Sequence, residues 1–253
     1  MLGVLLAAVL GPAIAWAVDI TACGQSVQPG EVGELRADLV CPPVSVGVHL
    51  VGGATVALNG FALVGQGTGA GVQCQGTLSH GAWCTVEGPG EIRSFENAVA
   101  GGGGRLRLRN VALRFNRHGV LYKAPRVIEL LHVVATDNDI GISARGGRVR
   151  GHDVVTSRNR QAGVWTNSIT KFVRLTATGN GAFGGVFTAP FRRSDVTRLI
   201  DSTITGNDGL GQGYDVLSTG RLRLINTTCG RGARIRWRRS HQINVRAHVR
   251  CAQ

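Results

Sequence analysis

Between Arg105 and Asn207 the chain alternates apolar and polar residues in short runs, and each run closes on Gly, Asn or Asp. Four segments lie over one another: RLRLRNVALRFNRHGV, RVIELLHVVATDNDIGI, RVRGHDVVTSRNRQAGV and ITKFVRLTATGNGAFGGV. An asparagine recurs at Asn116, Asn138, Asn159 and Asn180, at steps of 22, 21 and 21. A small-plus-apolar pair follows each, at Gly119-Val120, Gly141-Ile142, Gly163-Val164 and Gly185-Val186. A further copy, TRLIDSTITGNDGLG, puts Asn207 27 residues on. That step predicts an insertion of about five or six residues at PFRRSD or a neighbour, since the regular period is near 22. Two-residue alternation over four to six β-formers predicts strands. No heptad and no 3.6-residue apolar face of useful length appears, so no helix is predicted after the first residues. A fixed period of short strands predicts a solenoid whose coils bury one another.

The pattern extends in both directions. From Val44 to Val99 short β segments alternate with glycine, and Val99 lies 21 residues before Val120, in phase, with Phe95 where the later copies carry asparagine. Residues 220–235 begin one more copy, Arg223-Leu224-Ile225-Asn226 matching Arg198-Leu199-Ile200-Asp201. Equivalent positions of stacked coils sit about 4.8 Å apart. Asn116, Asn138, Asn159, Asn180 and Asn207 are therefore expected to form a buried amide ladder, a structural role rather than a sugar-binding one.

Three short strands per coil, an asparagine in one turn and a Gly-Ile/Val step after it resemble the right-handed parallel β-helix, the pectate-lyase-like superfold. ATVALNGFALVG followed by VEGPGEIRSFENAV also resembles the opening coils of exported bacterial proteins with parallel β-helix repeats and undefined activity. The likeness covers most of residues 45–235. It implies an all-β, single-stranded right-handed parallel β-helix over residues 43–236; the Cys-bracketed residues 18–42 and the basic tail 237–253, which loses the period, read as disulfide-bracketed caps that cover the end coils. It also implies that the first sheet and its adjoining turns form a polysaccharide groove. Fold alone does not carry activity.

Aligned on the ladder, two columns are candidates to face a ligand. Nine residues before each asparagine come Arg107, Glu129, Arg150, Lys171 and Arg198, with Arg223 in the partial coil. Alternation turns this charged column outward. Six before lie Asn110, His132, Asp153, Arg174, Asp201 and Asn226, with His152 beside Asp153. A row of cations one strand spacing apart suits a linear polyanion such as a polyuronate, because arginine forks onto carboxylates. For an enzyme, the candidates are Glu129, His132, His152, Asp153 and Arg174, since a lyase or epimerase needs a charge neutraliser, a base and an acid. Asp153 and Asp201, two coils apart, make at best a wide inverting-type glycosidase pair. The superfold's catalytic signatures are absent. There is no Asn-x-Asp, Asp-Asp and Gly-His-Gly series, no Arg-x-Pro-x-x-Arg and no Asp-Pro-His; Gly151-His152-Asp153 only approaches the last.

Charge sharpens this picture. The net charge is +13, yet residues 1–100 hold two basic and seven acidic residues, whereas 101–253 hold 26 basic and 8 acidic. All but Lys123 and Lys171 of the basic residues are arginine, a bias that genomic composition also produces. An anionic partner for the repeat half follows from the asymmetry. Aromatics are 5% and not interleaved with the basic column, which argues against nucleic acid. Residues 1–17, MLGVLLAAVLGPAIAWA, are uncharged and end in Ala15-Trp16-Ala17. They read as an export signal cleaved after Ala17, without the usual positive start. No other stretch is apolar enough to span a bilayer. The six cysteines then read as disulfides, expected between neighbours as Cys23–Cys41, Cys74–Cys84 and Cys229–Cys251. No cofactor or metal is implied; Asp137-Asn138-Asp139 offers oxygens to calcium but lacks a glycine-spaced acidic series. Asn226-Thr227-Thr228 is a glycosylation sequon.

The reading is a secreted, periplasmic or cell-surface protein binding an acidic polysaccharide along the first-sheet groove. The alternative is a lyase, epimerase or hydrolase on a uronate glycan. Catalysis, the glycan and the oligomeric state are left open by the sequence.

Overall fold

The computed structural model describes residues 16–75, 82–189, 195–207, 215–218, 220–231, 233–235 and 250–252, the last seven positions from 231 onward as backbone only. Among these residues all regular structure is β, and no helix is long and apolar enough to cross a membrane. Strands of successive coils pair in parallel into a 16-stranded sheet and a 10-stranded sheet, forming a parallel β-solenoid. The repeat found in the sequence is the repeat of the structure. Val99 pairs with Val120, Val120 with Ile142, Ile142 with Val164 and Val164 with Val186. Arg150 pairs with Lys171 21 residues on, but Lys171 pairs with Arg198 27 residues on. The extra residues fall between the strands Val186–Thr188 and Val196–Ile200, where the sequence predicts them, although 190–194 lie outside the described residues.

The strand Arg105–Arg114 shows how alternation builds a coil. Leu106 and Leu108 point inward, the backbone bends at Asn110, and Val111 and Leu113 point inward again. The inward column Leu108, Leu130, Gly151, Phe172 and Leu199 stacks in register. Gly151 completes it because a Cβ there would lie 2.2 Å from Phe172 Cδ1, so the large ring fills both places. The glycine of the Gly-Val/Ile step has a similar cause. A Cβ on Gly119, Gly141 or Gly163 would meet the carbonyl oxygen of the next coil's glycine at 2.4–2.6 Å.

The amide ladder runs along one turn. Asn116 donates both its backbone N–H and its Nδ2 to Asn138 Oδ1, at 2.9 and 3.1 Å. Asn138 does the same to Asn159, Asn159 to Asn180 and Asn180 to Asn207. Phe95 opens the ladder through its N–H, and the buried Asp215 closes it by accepting from Asn207 at 3.1 and 2.9 Å. The amides align with their N–H ends toward that carboxylate, a favourable arrangement of dipole and charge. The residue before each rung (Ser94, Phe115, Asp137, Arg158, Gly179, Gly206) has φ between 51° and 64°, so the turn enters every rung through a left-handed residue.

At the N-terminal end, Trp16–Ile20 pairs with Glu31–Leu35, and Gln25–Val27 pairs with residues 48–50. Residues 16–42 thus continue both sheets as a first coil, bracketed by the Cys23–Cys41 disulfide. Cys74–Cys84 is the second disulfide. Cys229 is also disulfide-bonded, and Cys251 stands opposite it in the parallel register. Residues 1–15 and 236–249, which hold most of the expected leader and C-terminal cap, lie outside the described residues.

Candidate binding groove

The outward face of the first sheet carries three parallel rows. The middle row is Arg107, Glu129, Arg150, Lys171, Arg198 and Arg223, each opposite the next in register. One flank is Arg105, Val127, Arg148, Ile169, Val196 and Arg221; the other, from the outward positions two residues on, is Arg109, Leu131, His152, Val173, Ile200 and Ile225. Strand alternation alone dictates this grouping. A groove of about 760 Å³ runs over these rows, lined among the described residues by six cations and one carboxylate, Glu129, with Leu131, Ile169 and Val173 among its apolar walls.

The two ends of the middle row differ. Arg107 donates to Glu129 Oε2 at 3.0–3.1 Å and stacks over Trp83 with 4.2 Å to the ring centroid. That end is satisfied within the protein. Arg150, Lys171 and Arg198 are exposed and have no ion pair among the described residues. Arg223 is half-buried, and its Nε has no hydrogen-bond partner.

The second candidate column sits elsewhere. Asn110, His132, Asp153, Arg174, Asp201 and Asn226 all have φ between 46° and 54°. They form the left-handed bend between two strands of each coil, a conformation in which Asn, Asp and His are enriched. Backbone geometry therefore gives this column its polar character. Asp153 accepts from Arg174 at 2.6 and 2.7 Å, and His152 Nδ1 lies 2.7 Å from the same carboxylate. Arg174 Nη2 is also 3.1 Å from that ring nitrogen. A proton on Nδ1 satisfies Asp153 and leaves Arg174 only the carboxylate to donate to. His132 stands 3.6 Å off. The Arg174 hydrogen bonds hold the Asp153 carboxyl down at about 2, so at neutral pH it is ionised and fully engaged. Asp201 accepts from Asn226 Nδ2 at 3.1 Å.

Of the catalytic candidates, Glu129 and His152 line the groove with Arg150, while His132, Asp153 and Arg174 lie outside its lining. Of the binding candidates, Arg107, Glu129, Arg150, Lys171 and Arg198 line it; Arg223, Asn110, His132, Asp153 and Asp201 do not. Among the described residues no cluster of three or more His, Cys, Asp or Glu could hold a metal ion. The Asp137 carboxylate is forked by Arg158 and the Asp139 carboxylate by Arg160, at 2.6–2.8 Å.

Two features escaped the sequence reading. Trp165, Phe183 and Phe187 form an aromatic cluster with ring centroids 5.0–5.8 Å apart on the second sheet side. Trp165 and Phe187 each directly follow a Gly-Val pair, a signal that places them in register. The other is a cavity beside the groove, lined by Arg105, Arg126 and Arg148. Its residues come from a turn as well as a strand, so no single column reveals it.

No protein-family profile and no curated protein matches the chain. Among solved structures the Dettilon tailspike protein (gp208) is similar, with 13% identity and a TM-score of 0.43 over 84% of this chain. The chain spans about half of that protein, 54% of its length.

Proposed function

We propose that this protein is an exported, pectate-lyase-like β-helix that binds an acidic polysaccharide along the first-sheet groove without transforming it. The observation that carries the reading is the run Arg150, Lys171 and Arg198, exposed on consecutive coils and in no ion pair among the described residues. Cations about 4.8 Å apart match the scale on which a uronate chain repeats its carboxylates, and guanidinium groups fork onto them. The half-buried row Leu131, Val173, Ile200 and Ile225 beside the cations offers an apolar wall to the C–H faces of sugar rings. Disulfides and the uncharged leader support an oxidising, extracytoplasmic location. The groove's one lining carboxylate, Glu129, is held by Arg107, and Asp153 is saturated at the border, which favours binding over proton transfer.

Equilibrium binding to polygalacturonate, with neutral dextran as control, tests the reading at low and high salt. Binding to polygalacturonate alone, weakening as salt rises, is expected. No binding, or binding indifferent to salt, defeats it. Growth of the absorbance of unsaturated uronate products in the same samples replaces binding with lyase activity, for which Glu129, Arg150 and His152 in the groove lining are the groups in place.

A further inference from the structure

A second cavity, of about 670 Å³, opens off the groove on the side of the turn that returns from the second sheet. It shares Arg148 and Ile169 with the groove, so the two cavities adjoin. Its outer wall is a fixed turn. Asn167 Oδ1 accepts the Gly146 N–H at 2.9 Å, and Ser168 Oγ donates to the Gly146 carbonyl. Gly147 has φ +69°, and a Cβ there would lie 1.6 Å from Pro125 O, so the wall is held low by a glycine that no other residue replaces.

The charge inside is again in excess. Among the described residues its lining holds Arg105, Arg126 and Arg148 and one carboxylate, Asp195. Arg126 and Arg148 are exposed and have no ion pair among the described residues. Arg105 is half-buried, its guanidinium 5.4 Å from the Trp83 ring centroid, and its Nε is buried without a hydrogen-bond partner. A buried donor left unmet is a costly group that an anionic acceptor would satisfy. Arg105 and Arg148 stand two residues along the strand from the central row, about 7 Å to its side. That is the reach of a substituent on one sugar ring.

We propose that this side pocket receives an anionic substituent, such as a sulfate, a phosphate or a ketal-linked carboxylate, carried laterally by the polysaccharide whose main chain lies in the groove. The proposal rests on the groove reading above. Its ligand is therefore a laterally substituted acidic polymer rather than a plain polyuronate.

The test compares polygalacturonate with the same polymer sulfated on its ring hydroxyls, bound to the wild-type protein, Arg126→Ala and Lys171→Ala. The wild type is expected to prefer the sulfated chain. Arg126→Ala should cut affinity for the sulfated chain by about three- to tenfold more than for the unsulfated one. Lys171→Ala should lower both by similar factors. Equal wild-type affinities, or a preference that Arg126→Ala leaves intact, overturn the side pocket while the groove reading stands. Failure to bind plain polygalacturonate, with Arg126-dependent binding of the sulfated chain, defeats the groove reading and keeps the pocket. Binding of neither polymer overturns both.

Discussion

The turn that carries the amide ladder and the face of the first sheet are both rich in arginine, yet they use it in opposite ways. On the turn, Arg117 meets Glu96 at 2.9 Å, Arg158 meets Asp137 at 2.7 Å and Arg160 meets Asp139 at 2.6 Å. Each base takes an acid from the coil before it. In the middle row of the first-sheet face, among the described residues, only Arg107 has an acid partner, Glu129 of the following coil, and the coils after Glu129 present cation upon cation. Like charges at adjacent positions of a parallel sheet repel. A chain selected only for stability would alternate them, as the turn does. Arginine content therefore says little here; the charge left over after internal pairing marks the surface that needs a partner.

The largest difference between the two regions should appear in stability. Asn138→Ala removes an acceptor for Asn116 and donors to Leu113 O and Asn159. It is expected to cost about 2–4 kcal/mol in urea denaturation, because buried groups on both sides lose their partners. Next comes binding. Lys171→Glu should weaken polyanion binding at least about tenfold while moving stability by less than about 0.5 kcal/mol. Arg158→Ala, on the turn, should do neither. The pair it breaks is exposed and screened by solvent, so stability should stay near the wild type, and polyanion binding should match it. Equal binding losses in Lys171→Glu and Arg158→Ala would erase the distinction between the regions.

The smallest effects are those of pH. Burial first, and Arg117 second, push the His118 imidazole down from its ordinary value. The unfolded chain then binds a proton below about pH 6.5 that the folded one resists, so stability begins to fall there, and His118→Gln should remove that early loss. Asp153 is held at about 2 by Arg174, and Asp137 and Asp139 are lowered by Arg158 and Arg160. Their contribution is complete above the unfolded carboxylate range near 4 and is lost as pH falls toward 2. Melting temperature followed from pH 8 to 2 should therefore drop in two stages.

Much of the solenoid could be read in advance because its rules are periodic. The asparagine steps, the outward charged row and the inserted residues before Val196 each need only counting. The bend column was harder. Asn110, Asp153 and Asp201 look like ligand groups in a list of columns, but they are polar because φ near 50° favours short polar side chains. Arg174, which has no such preference, hides the backbone cause. The Arg107–Glu129 pair was visible as two neighbours but not as a neutralised end of the groove. The side pocket was invisible because Arg126 belongs to a turn and Arg105 to a strand, and only their meeting makes a cavity.

The central claim is that the uncompensated row holds a polyanion. The measurement that tests it most directly is the salt dependence of polygalacturonate affinity for the wild type and for Arg150→Gln/Lys171→Gln/Arg198→Gln. Each neutralised ligand charge releases a counterion, so log affinity falls linearly with log salt in proportion to the contacts made. The account predicts a steep slope for the wild type and a clearly shallower one, with weaker binding at low salt, for the triple variant. The same slope in both proteins would contradict it.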